Sequence, residues 1–273
     1  MSDIFNLLDN IQKGDSLSVN DRVLIVDGLN LYLRAFAVNG ALNDNGVPVG
    51  GLTGFLRSLA YAIREVNPTR VIIVYDGQGG SQRRRKIHND YKSNRKPGKR
   101  ITRWDAFKDV SEEKDAMKIQ FSRLLDYLDF LPINVISIDK IEADDTIAYI
   151  THTLLDKDVT IMSSDQDFLQ LVDNRVTVWS PTKKKFYTPR MVIDDYGVPA
   201  HNFLMYKTLM GDKSDNIPGV KGLGPKNYLK YYQIYFLKIP LILISFWNMQ
   251  VKEKSLCIKE LLSRELNLEL MKN

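Results

Sequence analysis

Two short β-branched runs, residues 22–26 (RVLIV) and 71–75 (VIIVY), constrain the fold most. Each is apolar without alternation, so each needs cover on both faces, as a strand inside a parallel sheet does. Between them residues 51–66 form an amphipathic segment of helix length that stops at Asn67-Pro68. Strand, helix and strand therefore read as one βαβ unit. Weaker strand candidates follow at 134–138, 159–162 and 176–179, with helical patterns at 111–130 and 142–155. The pattern predicts an α/β fold with a mainly parallel central sheet flanked by helices.

Such sheets carry their sites outside the carboxyl ends of the strands. Asp27 follows the first strand (LIVDGLN), Asp76 the second (IVYDGQG), and Asp165 and Asp167 the fourth (TIMSSDQDF). A single aspartate there is explained by a turn or a helix cap. The same residue type at three strand ends is not. The segment IEADDTIAY adds Glu142, Asp144 and Asp145 in the first turn of a predicted helix, where one carboxylate would satisfy the dipole and three are excessive. Asp212 and Asp215 follow in GDKSDN. Carboxylates drawn to one edge repel each other by roughly a kcal/mol or more per close pair unless a cation sits among them. Magnesium prefers oxygen ligands and keeps several waters, so a set of this size could serve two ions. On a helix Glu142 and Asp145 share a face, and Asp144 points about 100° from Asp145.

The 273 residues are 44% hydrophobic and 26% charged with a formal net charge of +5, the profile of a soluble globular protein of one or two domains. Nearly all the positive excess lies in residues 80–103, GSQRRRKIHNDYKSNRKPGKRITR, which reads as one exposed loop. There Arg83, Arg84, Arg85, Lys86, Lys92, Arg95, Lys96, Lys99, Arg100 and Arg103 are opposed only by Asp90. Phosphate-backbone contact is the natural use, and Tyr91 offers either a ring for base stacking or ordinary packing. A helix over 202–210 leads to GVKGLGPK, a glycine turn and helix start whose backbone NH groups, with Lys221 and Lys226, suit a phosphate clamp or a core turn.

Several classes are excluded. Cys257 stands alone, so neither a disulfide within the chain nor a CxxC zinc site exists. No GxxxxGK[ST] or GxGxxG occurs, and His88, His152 and His201 lack metal spacing. The amino-terminal MSDIFNLLDNIQKGDS is acidic and amphipathic, unlike a secretory signal, and the expected location is cytoplasmic. The stretch IPLILISFW is about half the ~20 residues of a membrane span. The segment after residues 230–232 is out of character, and the expectation is a shifted frame or aberrant tail.

Metal-assisted phosphodiester hydrolysis remains, and the motifs carry a resemblance to it. VDGLN (26–30), VYDG (74–77), EADD (142–145), SSDQDF (163–168), GDKSDN (211–216) and IPGVKGLGPK (217–226), in that order, resemble the flap endonuclease, or 5′-to-3′ exonuclease, family over residues 20–230, and most of all its phage branch. The resemblance implies a PIN-like 5′-nuclease fold. It divides the chain into an extension (1–20), a catalytic domain (21–180) with a basic helical arch at about 80–130, a helix-three-turn-helix DNA-binding module (181–232) and an atypical tail (233–273). It implies two magnesium ions, replaceable by manganese: Asp76, Glu142, Asp144, Asp145 and Asp165 match the ligands nearest the first, and Asp27, Asp167, Asp212 and Asp215 those around the second. Lys92 and Arg95 match the arch residues that contact the scissile phosphate, Tyr91 the stacking aromatic, and Arg34 and Lys207 further basic residues near the site. Arg83 and Arg84 join the DNA-binding set. Gly219, Lys221, Gly222, Gly224 and Lys226 match the DNA-gripping turn, which can also hold potassium. Expected substrates are DNA with 5′ single-stranded ends or flaps and RNA/DNA hybrids. The expected state is a monomer away from membranes, with a single-stranded-DNA-binding or replisome partner. A non-hydrolytic nucleic-acid-binding protein and a PIN-like ribonuclease stay open as alternatives.

Overall fold

The computed structural model describes residues 18, 20–93, 100–104, 107–221 and 224. Arg95, Gly222, Lys226 and the tail after 232 lie outside them.

Strand β1 (Arg22–Asp27) runs directly into helix α1 (Gly28–Val38); α2 (Gly50–Val66) then leads to β2 (Arg70–Asp76). Next come α3 (Gln82–Ile87), α4 (Val110–Leu128), β3 (Asn134–Ile138), α5 (Ala143–Thr153) and β4 (Asp158–Met162). A 3-10 turn (Gln166–Leu171) precedes β5 (Val176–Ser180), β6 (Lys185–Tyr187), α6 (Pro189–Tyr196) and α7 (Phe203–Met210). The sheet order is β3-β2-β1-β4-β5-β6; β1 to β5 pair in parallel, and β6 is antiparallel to β5.

The central strands are buried on both faces because their side chains are apolar on both. Leu24, Val26 and Ile73 pack with Phe55, Leu124 and Leu128 from α2 and α4. Each such side chain contributes about 1.5–3 kcal/mol relative to exposure. β3 is an edge strand and mostly exposed, which explains its weaker signal in the sequence.

Three helices depart from the sequence reading. α1 is hidden in the sequence because no linker separates it from β1, and Gly28 reads as a turn residue. Gly28 is required for packing: a Cβ there would lie 2.5 Å from the Tyr75 ring. α3 forms, since Arg and Lys have good helix propensity, within a stretch whose residues read as a loop, although the resemblance implies a helical arch there. α6 carries ordinary signals: Thr188 caps it, Pro189 opens it, and Gly197 closes it at φ 72°.

The chain divides into two compact units, residues 1–204 with 213–217, and residues 205–212 with 218–273. Within the second, Val220 N donates to Leu209 O at 2.8 Å, and a Cβ on Gly219 would meet the Met210 carbonyl at 2.4 Å. Among the described residues no helix is long and apolar enough to cross a membrane.

Candidate active site

After β1 the chain adds β2 and β3 on one side and then returns to place β4 on the other, so the strand order reverses between β1 and β4. Crevices at such points are where open α/β sheets bind ligands. Asp27, the last residue of β1, is buried there and caps α1, accepting from Asn30 N at 3.2 Å. Its Oδ2 accepts from Ser163 Oγ at 2.8 Å across the crevice. Ser163 Oγ accepts in turn from Asp165 N at 3.0 Å, and Asp165 Oδ1 accepts from Asp167 N at 2.9 Å. Capping is thus real for Asp27 and Asp165, yet it uses only part of each carboxylate. Ser163 was not anticipated as part of the site. Its position two residues before Asp165, at the same strand end, was the available signal.

The crowded turn at residues 142–145 resolves similarly. Asp76, at the end of β2, caps α5 from outside, its Oδ1 accepting from Ala143 N at 2.7 Å. Glu142 occupies the N-cap position and makes no capping bond with its side chain. It is buried and pairs instead with cations: Lys92 Nζ donates to Oε1 at 2.8 Å, and Arg84 contacts Oε2. Arg84 also donates to Asp145 Oδ1 at 2.9 Å, so Glu142 and Asp145 do share a face. Tyr91 is buried, with its hydroxyl 3.4 Å from Glu142 Oε2 and its ring 4.8 Å beneath Lys92 Nζ.

Asp144 faces the other carboxylates. Burial raises its pKa to about 7, and Asp27 and Asp165 push in the same direction. Burial likewise raises Asp27 to about 6, with Asp165 and Asp76 adding to the rise. Four carboxylates from three strand ends and a helix start therefore share one field. Among the described residues no three His, Cys, Asp or Glu side chains close on one point as a finished coordination shell. The donor chemistry still fits a hard divalent cation: every candidate ligand is oxygen, and the charge they hold is costly as it stands.

Residues 213–217, part of the first unit, lie against residues 88–93. Lys92 N donates to Asp215 O at 3.0 Å, and Asn216 Nδ2 donates to Asp90 O at 3.1 Å and to Ser93 Oγ at 3.0 Å. Asn216 was not anticipated as a functional residue. Arg84, His88, Tyr91, Asp144, Asp167 and Asp215 line most of an open cavity of about 260 Å³. Arg83 is exposed on α3. Arg34 stands near Arg103, and burial together with that like charge lowers its pKa. Lys207 and Asp212 belong to the second unit and pair with each other. Gly219, Lys221 and Gly224 belong to it as well.

Residues 22–197 match the family described as 5′-3′ exonuclease, N-terminal resolvase-like domain. A 5′-3′ exonuclease of Bacillus subtilis is 34% identical over 228 residues, covering 79% of this chain and 71% of that protein. The thermostable DNA polymerase I of Thermus thermophilus is 33% identical over 77% of this chain, which spans only 23% of the polymerase. Among solved structures, the bacteriophage T5 D15 flap endonuclease, described in complex with DNA and metal ions, has the same fold. Its TM-score is 0.60 at 24% identity, over 78% of this chain and 75% of that one. With the family covering the strands and helices that bring the carboxylates together, the chain belongs to the 5′-3′ exonuclease family.

Proposed function

We propose that the protein is a magnesium-dependent, structure-specific 5′ nuclease that hydrolyses phosphodiesters of DNA, or of RNA primers on DNA, at 5′ ends and junctions during replication. The observation that carries the reading is the gathering of carboxylates at the crevice: Asp27 is joined through Ser163 to Asp165, Asp76 caps the helix that follows Glu142, and Asp144 shares the field of Asp27 and Asp165. Asp76, Glu142, Asp144, Asp145 and Asp165 would hold one ion, and Asp27, Asp167 and Asp215 would serve the second, in part through water. When bound, such ions supply a nucleophilic water at neutral pH and offset charge on the leaving 3′ oxygen.

The chain's own groups do the rest. Lys92, 2.8 Å from Glu142, presents its ammonium beside the carboxylates, where it would meet the non-bridging oxygens of the scissile phosphate. Arg84 holds Glu142 and Asp145, two of the carboxylates that would hold the ion, and with those oxygens engaged by a cation it would be released from them. Its guanidinium, already lining the cavity, then has a phosphate to meet. Arg83 and Arg34 with Arg103 extend the cationic surface for the strand beyond the cut. Products would carry a 5′-phosphate and a 3′-hydroxyl. Membership of the phage branch belongs to the same proposal and rests on the motifs; a replisome or single-stranded-DNA-binding partner belongs to it only through the family resemblance.

The test is a nicked duplex with a 5′-labelled RNA or DNA strand, incubated with magnesium. Short 5′-labelled fragments ending in a 3′-hydroxyl, with a 5′-phosphate on the shortened downstream strand, are expected. Products bearing a 3′-phosphate would contradict the mechanism.

A further inference from the structure

We propose that Asn216 is a positioning residue that acts through Lys92. The proposal rests on the nuclease reading, because that reading gives Lys92 a phosphate to meet.

Lys92 has a left-handed backbone, φ 57°. That conformation is unfavourable for a side-chain-bearing residue, so contacts from outside the turn are needed to hold it. The hold comes from two consecutive residues. Asp215 O accepts from Lys92 N at 3.0 Å. Asn216 places its amide nitrogen between Asp90 O at 3.1 Å and Ser93 Oγ at 3.0 Å, one acceptor on each side of the Tyr91-Lys92 pair. The Asn216 carbonyl also faces His88 Nε2 at 3.4 Å. The held turn delivers Lys92 Nζ to Glu142 Oε1 at 2.8 Å and over the Tyr91 ring.

The residue type suits the task. Asn216 is itself left-handed, φ 59°, a region where asparagine is favoured among side-chain-bearing residues. Its amide nitrogen carries two hydrogens for two acceptors, which aspartate lacks and glycine cannot supply. Losing the clamp frees the turn to relax, and a displacement of the ammonium by about 1 Å can cost up to ~100-fold in rate.

The experiment is a double-mutant cycle on magnesium-dependent cleavage of a 5′-flap DNA, using Asn216→Gly, Lys92→Ala and both together. Asn216→Gly keeps the backbone conformation available and removes only the donors. It should lower kcat roughly 10- to 100-fold with KM nearly unchanged. On the Lys92→Ala background the same change should cost almost nothing further, since its effect passes through the missing ammonium. Asn216→Asp should resemble the glycine variant. Should the glycine variant not fold, Ser93→Ala removes one acceptor of the clamp; a smaller loss, again absent on the Lys92→Ala background, is expected. Wild-type rates in Asn216→Gly, or losses that multiply with those of Lys92→Ala, overturn the proposal while leaving the nuclease intact. A wild-type protein that does not cleave overturns the nuclease reading and this proposal with it.

Discussion

Asp165 has three roles at once: it caps a turn, joins the hydrogen-bond chain to Asp27, and contributes to raising both Asp27 and Asp144. Asp165→Asn keeps the cap acceptor and removes the charge, so it should leave the fold intact while cleavage falls by roughly two orders of magnitude or more. Circular dichroism beside a cleavage assay checks both halves, and near-normal turnover would remove Asp165 from the mechanism. The raised carboxyls also set a pH dependence. Between about pH 4 and 7 the folded protein retains protons on Asp27 and Asp144 that the unfolded chain has released. Their contribution to stability therefore falls as pH rises through that window, by several kcal/mol for the two groups together, roughly 1.4 kcal/mol for each pH unit by which a carboxyl is raised, and stays lost above it. Urea unfolding in EDTA at pH 5 and pH 8 should show the drop, and Asp144→Asn should shrink it. Stability in EDTA that is flat or rising between those values would argue against a shared field.

At the level of elements, the crowded helix start is capped from a neighbouring strand, which leaves its own acidic residues for other work. Asp76→Asn keeps an acceptor for Ala143 N, whereas Asp76→Ala removes it. Thermal melts should therefore place the alanine variant about 1 kcal/mol below the asparagine variant, while both lose cleavage. Equal stability of the two would mean that Asp76 is not the cap. The same logic explains what could be read in advance. β1 and β2 were legible because apolar residues on both faces allow few alternatives. α1 was not, because a helix that begins on the last residue of a strand offers no linker to mark it. α3 was obscured because its Gln-Arg-Arg-Arg-Lys run carries no apolar stripe to show a helical period.

For the whole molecule, the parallel sheet with its reversal of strand order accounts for why residues as far apart as Asp27 and Asp165 share one crevice. Their positions at strand ends were visible in the sequence, and so was the family likeness. The clamp from Asn216 and the bridge from Ser163 were not, because both depend on which loops the fold brings together. The clustered positive charge predicts that affinity for flap DNA falls steeply with salt, and that Lys92→Ala reduces the log-log slope by about 1. Fluorescence anisotropy at several salt concentrations measures this, and an unchanged slope would deny Lys92 a phosphate contact. As a metal-dependent nuclease site, the carboxylate crevice needs both the ion and Asp165 to cut. The most direct measurement is cleavage of a 5′-flap DNA labelled at each end, run with magnesium and with EDTA, beside Asp165→Asn. Short 5′-labelled products that require both magnesium and the intact Asp165 are predicted. Tight binding without cleavage, or cleavage that survives EDTA, would contradict a metal-dependent site at the crevice.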